Sequence, residues 1–383
     1  MRIGFIGFGH RAETLVPQFR AAAEDFRVAA VADPDADGAR ARLDALALGA
    51  PVALHPDAET MLAREDLDGV VLATRCSLHA RIAPLVLARG LPLFLEKPVA
   101  TTYADLRALE AAGAASRSPV LVSFPLRVSP LAVLAKEIVD SGRLGRIENA
   151  VAFNDVPYGG VYYHGWYRDE AETGGLFLQK ATHDLDYVGH LLDRAPAEVC
   201  AMTSKTVFRG DRPAGLRCAE CPERDACPEG PYSMAHVRFD DPQGPWCCFA
   251  SDTGNEDAGA VLVRYEDGTF LSYAQNFYAR KGAARRGVRL YGYDGTLGFD
   301  WYRDEVRVWM HSSTRTEVHK VDSAAMAHSG GDFRLAENFV RLVRDPSAAS
   351  AAPLAAGVRS ALLCLAARGS ARTKTFMKAG YPD

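Results

Sequence analysis

Along the first third of the chain the apolar residues fall into short, almost unbroken runs, and between the runs they space out at helical intervals. The runs at 3–6, 28–32, 67–74 and 92–95 read as strands buried on both faces, since a strand with one wet face would alternate. The stretches 38–46, 58–65 and 80–88 carry the spacing of amphipathic helices. Strand alternating with helix predicts a doubly wound parallel sheet up to about residue 123. Beyond it the texture changes. Residues 261–264, 269–276, 287–293 and 306–311 read as strands of a mostly antiparallel sheet, separated by turn signals such as Glu266-Asp267-Gly268 and Asp294-Gly295. A helix is expected at 333–343, after Gly331-Asp332, and a long helical pattern fills 353–377. The expected class is therefore α/β, with one domain over 1–123 and a second over 124–383.

The first run breaks into Gly7-Phe8-Gly9-His10-Arg11-Ala12, the pattern Gly-x-Gly-x-x-Ala. Gly7 allows the tight turn, Gly9 lets backbone approach a pyrophosphate, and the small Ala12 lets the following helix pack closely on the strand. The helix then aims unpaired N–H groups at phosphate. The second run ends in Asp33, an acid that can accept both ribose hydroxyls of NAD and repel the 2′-phosphate of NADP; its plain alternative is a helix cap in Asp33-Pro34. Gly7, Gly9, His10, Arg11, Ala12 and Asp33 are the first candidate cofactor contacts. Thr74 and His79, and then Glu96 and Lys97, follow the ends of later strands, where ligands of open α/β sheets bind.

Composition narrows the field. A chain of 383 residues exceeds the usual single-domain size, so about two domains are expected. Its formal net charge of −4 gives no electrostatic support for a nucleic-acid or anionic-membrane partner. No apolar run reaches bilayer length and the N-terminus shows no signal-peptide pattern, so a cytoplasmic protein is expected. Eight cysteines do not form a disulfide framework at this length.

The N-terminal fingerprint, the strand ending Ala73-Thr74 with His79 beyond it, Glu96-Lys97-Pro98, and Gly174-Gly175 leading to His183-Asp184-Leu185-Asp186 stand in a specific order. With them, and with the Trp166-Tyr167-Arg168 and His328-Ser329-Gly330-Gly331-Asp332 segments, the chain resembles the glucose-fructose oxidoreductase / inositol dehydrogenase / rhizopine-catabolism (Gfo/Idh/MocA) superfamily over nearly its whole length. The resemblance implies a Rossmann domain and a mixed α/β domain with an open-faced sheet that buries a homodimer or homotetramer interface, with the active site between them. It also implies that Lys97 orients the substrate hydroxyl and helps move its proton. In relatives an Asp four residues before the histidine pairs with it as proton acceptor. Here that position is Gln179, which can neither charge the imidazole partner nor take a proton. Lys180, three residues before His183, is a candidate second cation, and its plain alternative is a solvated helix face. Helical spacing sets Gln179, Lys180 and His183 on one face. Asp186 matches a family acid with a structural task.

Residues 156–168 are dense in Tyr, His, Trp and Arg, which suits flat sugar rings and their hydroxyls but equally suits core packing. Tyr162, Tyr163, Trp166 and Arg168 are the candidates there, joined by Arg127, which occupies a family position past the domain junction. The basic run Arg280-Lys281-Gly282-Ala283-Ala284-Arg285-Arg286 reads as a solvated turn, with an anion site as its alternative. Cys218, Cys221 and Cys227, in the loop 218–227, have the spacing of a zinc site lacking its fourth ligand, for which Cys247, Cys248 and His236 are candidates. An unmetallated loop is the equal alternative.

The resulting expectation is an NAD-dependent oxidoreductase acting on a secondary hydroxyl of a sugar, inositol or sugar derivative, with Lys97 and His183 moving the proton. The departure at Gln179, the extra Lys180 and the basic run leave one alternative. Some relatives are NAD-dependent glycosidases, which oxidise a ring hydroxyl transiently, eliminate the aglycone, add water and return the hydride. An anionic sugar such as a sulfoquinovoside is one candidate substrate for that cycle.

Overall fold

The computed structural model describes residues 1–230, 244–322 and 327–382. The chain forms two compact units, one of Met1–Pro130 with Ala325–Ala361 and one of Leu131–Ala324 with Leu362–Asp383. Among the described residues no helix is long and apolar enough to cross a membrane.

The first unit is a six-stranded parallel sheet in the order β3-β2-β1-β4-β5-β6. Its strands are β1 (Arg2–Ile6), β2 (Arg27–Ala32), β3 (Ala53–His55), β4 (Gly69–Leu72), β5 (Leu93–Leu95) and β6 (Val120–Val122). All of β4, β5 and β6 is buried, which accounts for their unbroken apolar runs. The crossovers run through α1 (His10–Ala22), α2 (Ala36–Ala45), α3 (Ala58–Arg64), α4 (His79–Ala88) and α5 (Tyr103–Ala115). Helix α5 had no clear apolar stripe in its alanine-rich sequence, yet its start is marked: the Thr102 hydroxyl accepts from the Asp105 N–H at 3.1 Å.

The boundary expected at residue 123 is replaced by a more involved division, because the chain returns to the first unit after residue 324. The returning helix 331–344 buries Leu335, Ala336, Phe339, Val340 and Leu342. Phe339 enters an aromatic group, with ring centroids 5.8 Å from Phe19 and 5.7 Å from Phe94. Amphipathic spacing announces such a helix but not which sheet it covers.

The second unit holds a nine-stranded sheet in the order β14-β13-β12-β11-β7-β10-β9-β8-β15. The strands are β7 (Ile147–Asp155), β8 (Pro196–Ser204), β9 (Ala258–Tyr265), β10 (Phe270–Asn276), β11 (Arg285–Gly292), β12 (Gly295–Asp300), β13 (Glu305–Met310), β14 (Thr316–Lys320) and β15 (Met377–Lys378). Pairing is antiparallel except between β7 and β10. Central strand β7 escaped the sequence pattern because its buried positions Ile147, Ala150, Ala152 and Asn154 shift phase after Ile147 and include an asparagine, while the exposed Val151 is apolar. Register places Val151 opposite Ser272, Ser272 opposite Leu262, and Met202 opposite Ala260, so Val151, Leu262, Phe270 and Met202 share one face. These four side chains are exposed, Met202 by 75%. Leu271, Tyr273, Val261 and Val263 point to the opposite face and are buried.

Among the described residues the α-helices after β6 are α6 (Pro130–Asp140), α7 (Val161–His164), α8 (Glu170–Thr173), α9 (Thr182–Leu192), α10 (Gly331–Arg344) and α11 (Leu354–Thr373). Helix α10 belongs to the first unit, and α11 begins in the first unit and ends in the second. Phe339→Ala is expected to lower the unfolding free energy by about 3–5 kcal/mol, because it empties the centre of the aromatic group. Urea denaturation measures this; a loss below about 1 kcal/mol would show that α10 does not anchor there.

Candidate functional site

The turn after β1 is built for backbone. Gly7 has φ +80°, and a Cβ there would lie 2.8 Å from the Ala73 carbonyl oxygen, so a side chain is excluded. At Gly9, by contrast, a Cβ would meet nothing within 4 Å, and α1 begins at the next residue with no side-chain cap. The open approach and uncapped first-turn N–H groups fit a dinucleotide pyrophosphate. Ala12 is fully buried, and His10 is largely exposed with its Nδ1 3.7 Å from Glu13. Asp33 accepts from the Phe8 N–H at 2.7 Å and from the Asp35 N–H at 2.9 Å. Its carboxylate is thus tied to the glycine turn, while Asp35, not Asp33, caps α2. Gly7, Gly9 and Asp33 are the residues that would hold NAD.

Arg11, expected as a cofactor contact, has a structural task. It donates to Glu96 Oε1 at 2.6 Å, to Asp332 Oδ1 and Oδ2 at 2.7 and 2.9 Å, and to Ser123 Oγ at 3.0 Å. Glu96 and Asp332 are both buried. Burial by itself would raise the two carboxyls, but Arg11 outweighs it, helped by Lys97 at Glu96 and by His328 at Asp332, and both stay below the ordinary carboxylate range. One guanidinium thereby joins the glycine-turn helix, the Glu96-Lys97-Pro98 turn and α10. Glu96 pairs with Arg11, and Lys97, half-buried beside it, is positioned through that turn. Asp332 also holds His328 Nδ1 at 2.7 Å, where His328, Ser329 and Gly330 are three successive left-handed residues. Thr74 is half-buried, and its carbonyl faces the buried His79. Both His79 ring nitrogens face backbone carbonyls, Nδ1 at 2.8 Å from Pro98 and Nε2 at 3.2 Å from Thr74. Burial pushes its pKa down, and a neutral imidazole donates to only one of these two carbonyls, which ties the ring to backbone.

In the second unit the candidate residues sit on an unusual turn. Phe177–Ala181 is π-helical and runs directly into α9. Five-residue rather than four-residue spacing governs that turn, so the one-face argument from regular helical spacing does not hold there. Gln179, Lys180, His183, Asp184 and Asp186 are nevertheless all buried. Glu256 steadies the start, its Oε1 accepting from the Leu176 and Phe177 N–H groups at 3.0 and 3.2 Å.

Asp184 is completely buried and accepts from Arg286 Nε at 2.8 Å and Nη2 at 3.1 Å, from Asn154 Nδ2 at 2.9 Å and from the Tyr273 hydroxyl at 3.1 Å. Burial would disfavour the Arg286 cation, but Asp184 more than compensates. This corrects the solvated reading of the basic run at Arg286, while Arg285 stays half-exposed. Arg286 points inward from β11, Arg285 pairs with Asp155 at 2.7 Å, and Arg280 pairs with Glu229 at 2.7 Å. Sequence reasoning missed Asp184 and Arg286 as partners; the only signal was an arginine at an inward register position of a strand. Lys180, buried rather than solvated, donates to the Tyr158 hydroxyl.

The aromatic loop is mostly core. Tyr163, expected at the substrate, is fully buried, stacks on Phe208 at 4.0 Å and donates its hydroxyl to the Glu256 carbonyl at 2.6 Å. Tyr162 packs on Phe277 at 5.2 Å, and Trp166 stacks on Tyr167 at 4.0 Å. Arg168 is buried against Asp252, with its guanidinium 5.7 Å from the Trp246 ring, so it too serves packing. Arg127, half-buried in the first unit, has its guanidinium carbon 6.0 Å from the Phe124 ring.

None of the eight cysteines is in a disulfide. Among the described residues no group of three or more His, Cys, Asp or Glu is arranged to hold a metal ion, so Cys218, Cys221 and Cys227 do not assemble there the zinc site that was one of the two readings of this loop. Cys218 Sγ lies 3.4 Å from the Trp246 carbonyl oxygen. His236 lies outside the described residues.

Comparisons with known proteins agree with this arrangement. Residues 1–124 match the model of an oxidoreductase family with an NAD-binding Rossmann fold, and residues 133–298 match the GFO/IDH/MocA C-terminal domain. The chain belongs to the Gfo/Idh/MocA oxidoreductase family. YteT of Bacillus subtilis (strain 168) is 27% identical, covering 73% of this chain and 73% of its own. Inositol 2-dehydrogenase 2 of Saccharopolyspora erythraea is 32% identical over 55% of this chain and 58% of its own length, less than two thirds of that relative. Levoglucosan dehydrogenase, solved with NADH and levoglucosan, shares the fold with a TM-score of 0.79 at 18% identity, covering 100% of both chains.

Two predictions follow from the first unit's geometry. NADH should bind about tenfold or more tightly than NADPH, and Asp33→Ser should narrow that gap, because a fixed carboxylate repels a 2′-phosphate. Fluorescence titration with both cofactors checks this, and equal wild-type affinities would remove Asp33 from the task. The second concerns Arg11. Since the folded Glu96 and Asp332 values lie below the unfolded ones of about 4, their contribution is complete above about pH 5 and is lost as the pH falls through the folded values. Arg11→Met should cost about 3–5 kcal/mol at pH 7 and lift the folded values above the unfolded ones. The variant's stability should then fall as the pH rises from 4 to 7. Parallel urea-unfolding curves for wild type and variant across that range would refute the coupling.

Proposed function

We propose that the protein is an NAD-dependent dehydrogenase that oxidises a secondary hydroxyl of a sugar, inositol or related polyol. The observation that carries this reading is the pairing, in one family member, of an acid-bearing glycine turn with a buried His183-Lys180 turn in the second unit. Bound NAD would accept the hydride. Lys97 and His183 are the residues to which the resemblance assigns the hydroxyl proton. The names of relatives and fold neighbours, inositol 2-dehydrogenase and levoglucosan dehydrogenase, support a polyol substrate. The exposed apolar face formed by Val151, Leu262, Phe270 and Met202 supports a homodimer or homotetramer joined through that sheet.

One observation keeps the glycosidase cycle as a second reading. Gln179 is buried where relatives carry an acid, so the usual acid-histidine couple is absent. An anionic sugar loses its support, since Arg280, Arg285 and Arg286 are each held by a carboxylate.

A panel of free sugars, inositols and aryl glycosides, assayed for NADH and for aglycone in heavy water, separates the readings. A dehydrogenase accumulates NADH one-for-one with product and leaves the glycosides intact. Aglycone release without net NADH, with deuterium on the sugar, would replace it by the redox-cycling glycosidase. Lys97→Ala and His183→Ala should each lower turnover about 100-fold or more while leaving NADH binding nearly intact.

A further inference from the structure

His328 stands in a backbone conformation that L side chains rarely adopt, φ 45° and ψ 46°, and Ser329 after it does the same at φ 52° and ψ 39°. Left-handed residues other than glycine cost conformational energy and persist only where their surroundings fix them. Here the fixing group is Asp332, whose Oδ2 lies 2.7 Å from His328 Nδ1. Asp332 is itself buried and held by Arg11, whereas the His328 side chain is 43% exposed. A buried ion pair thus orients a ring that contributes little burial of its own.

Topology gives the place of that ring. In the sheet order β3-β2-β1-β4-β5-β6, Asp33 follows β2 and the glycine turn follows β1. A dinucleotide with its adenosine ribose at Asp33 and its pyrophosphate at the glycine turn runs its nicotinamide half toward the ends of β4, β5 and β6. His328 is tied to those ends. One chain of contacts leads from His328 Nδ1 to Asp332 Oδ2 at 2.7 Å and from there to Arg11 Nη1 at 2.9 Å. It continues from Arg11 Nε to Glu96 Oε1 at 2.6 Å, beside Lys97 in the turn after β5. Gly331 packs so closely on the turn after β6 that a Cβ there would lie 1.9 Å from the Pro125 carbonyl oxygen. All of these residues, the glycine turn included, belong to the first unit.

The chemistry of the ring narrows its partner. An ionised Asp332 can only accept, so Nδ1 carries the proton and Nε2 of the neutral ring is an acceptor. In the nicotinamide half, the carboxamide amine and the ribose hydroxyls are donors. We infer that His328 is a contact residue for the nicotinamide riboside half of NAD, its Nε2 accepting from one of those donors, with Asp332 as its positioning residue. The inference concerns cofactor binding alone. It holds under both the dehydrogenase and the glycosidase reading, and it leaves the substrate proton to Lys97 and His183.

The first test needs neither variant nor substrate. Diethylpyrocarbonate modifies exposed histidines, and peptide mass spectrometry of the wild type reads the rate at His328. NADH should slow that rate about fivefold or more, because a bound ligand shields the ring, whereas AMP should leave it unchanged. ADP-ribose slows it too if the donor is a ribose hydroxyl, and does not if the donor is the carboxamide. An unchanged rate with NADH, or equal protection by AMP, overturns the inference, as does a wild type that binds no NADH. The second test removes the ring without forcing the backbone, since glycine adopts the left-handed conformation readily. His328→Gly should bind NADH about three- to tenfold more weakly, with AMP affinity unchanged. A merely structural histidine would move the urea midpoint and leave NADH affinity alone, so a His328→Gly protein with wild-type NADH affinity overturns the inference. Should that variant fail to fold, the protection experiment decides. Failure of every panel sugar would remove the dehydrogenase reading and leave both measurements as they stand.

Discussion

A carboxylate removed from water is tolerable only when a cation and hydrogen-bond donors replace the lost hydration. In the second unit this constraint is met at Asp184, which has no exposed surface and takes four hydrogen bonds from Arg286, Asn154 and Tyr273. These partners lie on β11, β7 and β10, three adjacent strands, while Asp184 lies on α9. The helix is therefore fixed to the sheet at the residue directly after His183. Any rotation of α9 would leave a buried charge unpaired on each side, which is a steep energetic restraint on the histidine's position.

The first unit solves the same problem with the signs exchanged. Arg11 is a cation that bridges Glu96 and Asp332. It ties together a turn that presents backbone N–H groups, a turn that carries Lys97, and a helix from a distant part of the chain. Candidate chemistry in both units thus rests on residues that are themselves one step away from it. Residues at that remove set positions, and their loss disturbs function through geometry.

The π-helical turn before α9 adds a local consequence. The stretch 173–188 is buried throughout, so Gln179 and Lys180 on the π turn and His183, Asp184 and Asp186 on the regular helix after it are enclosed on every side and not along one inward face. Glu256 holds the start of that turn through the Leu176 and Phe177 N–H groups. Lys180 then reaches Tyr158, which precedes it by 22 residues and belongs to a different element.

Much of this was legible in the chain itself. Unbroken apolar runs identified strands of the parallel sheet, because burial on both faces leaves no polar alternation. The spacing of Gly7, Gly9, Ala12 and Asp33 identified a dinucleotide turn, because each position is set by local backbone geometry. Strand β7 was not legible, since its buried positions after Ile147 are two alanines and an asparagine while the exposed Val151 is apolar, which hides the alternation. Nor was the placement of helix 331–344, whose apolar face is equally suited to either sheet. The sites divide in the same way. Lys97 and His183 became candidates through the ordered motifs that carry the family resemblance, whereas the partnerships of Arg11 with Asp332, of Arg286 with Asp184 and of Lys180 with Tyr158 join residues 321, 102 and 22 positions apart. Tertiary structure alone decided these, because pairing depends on which buried charges come to share a low-dielectric space, and a sequence records their charge but not their distance.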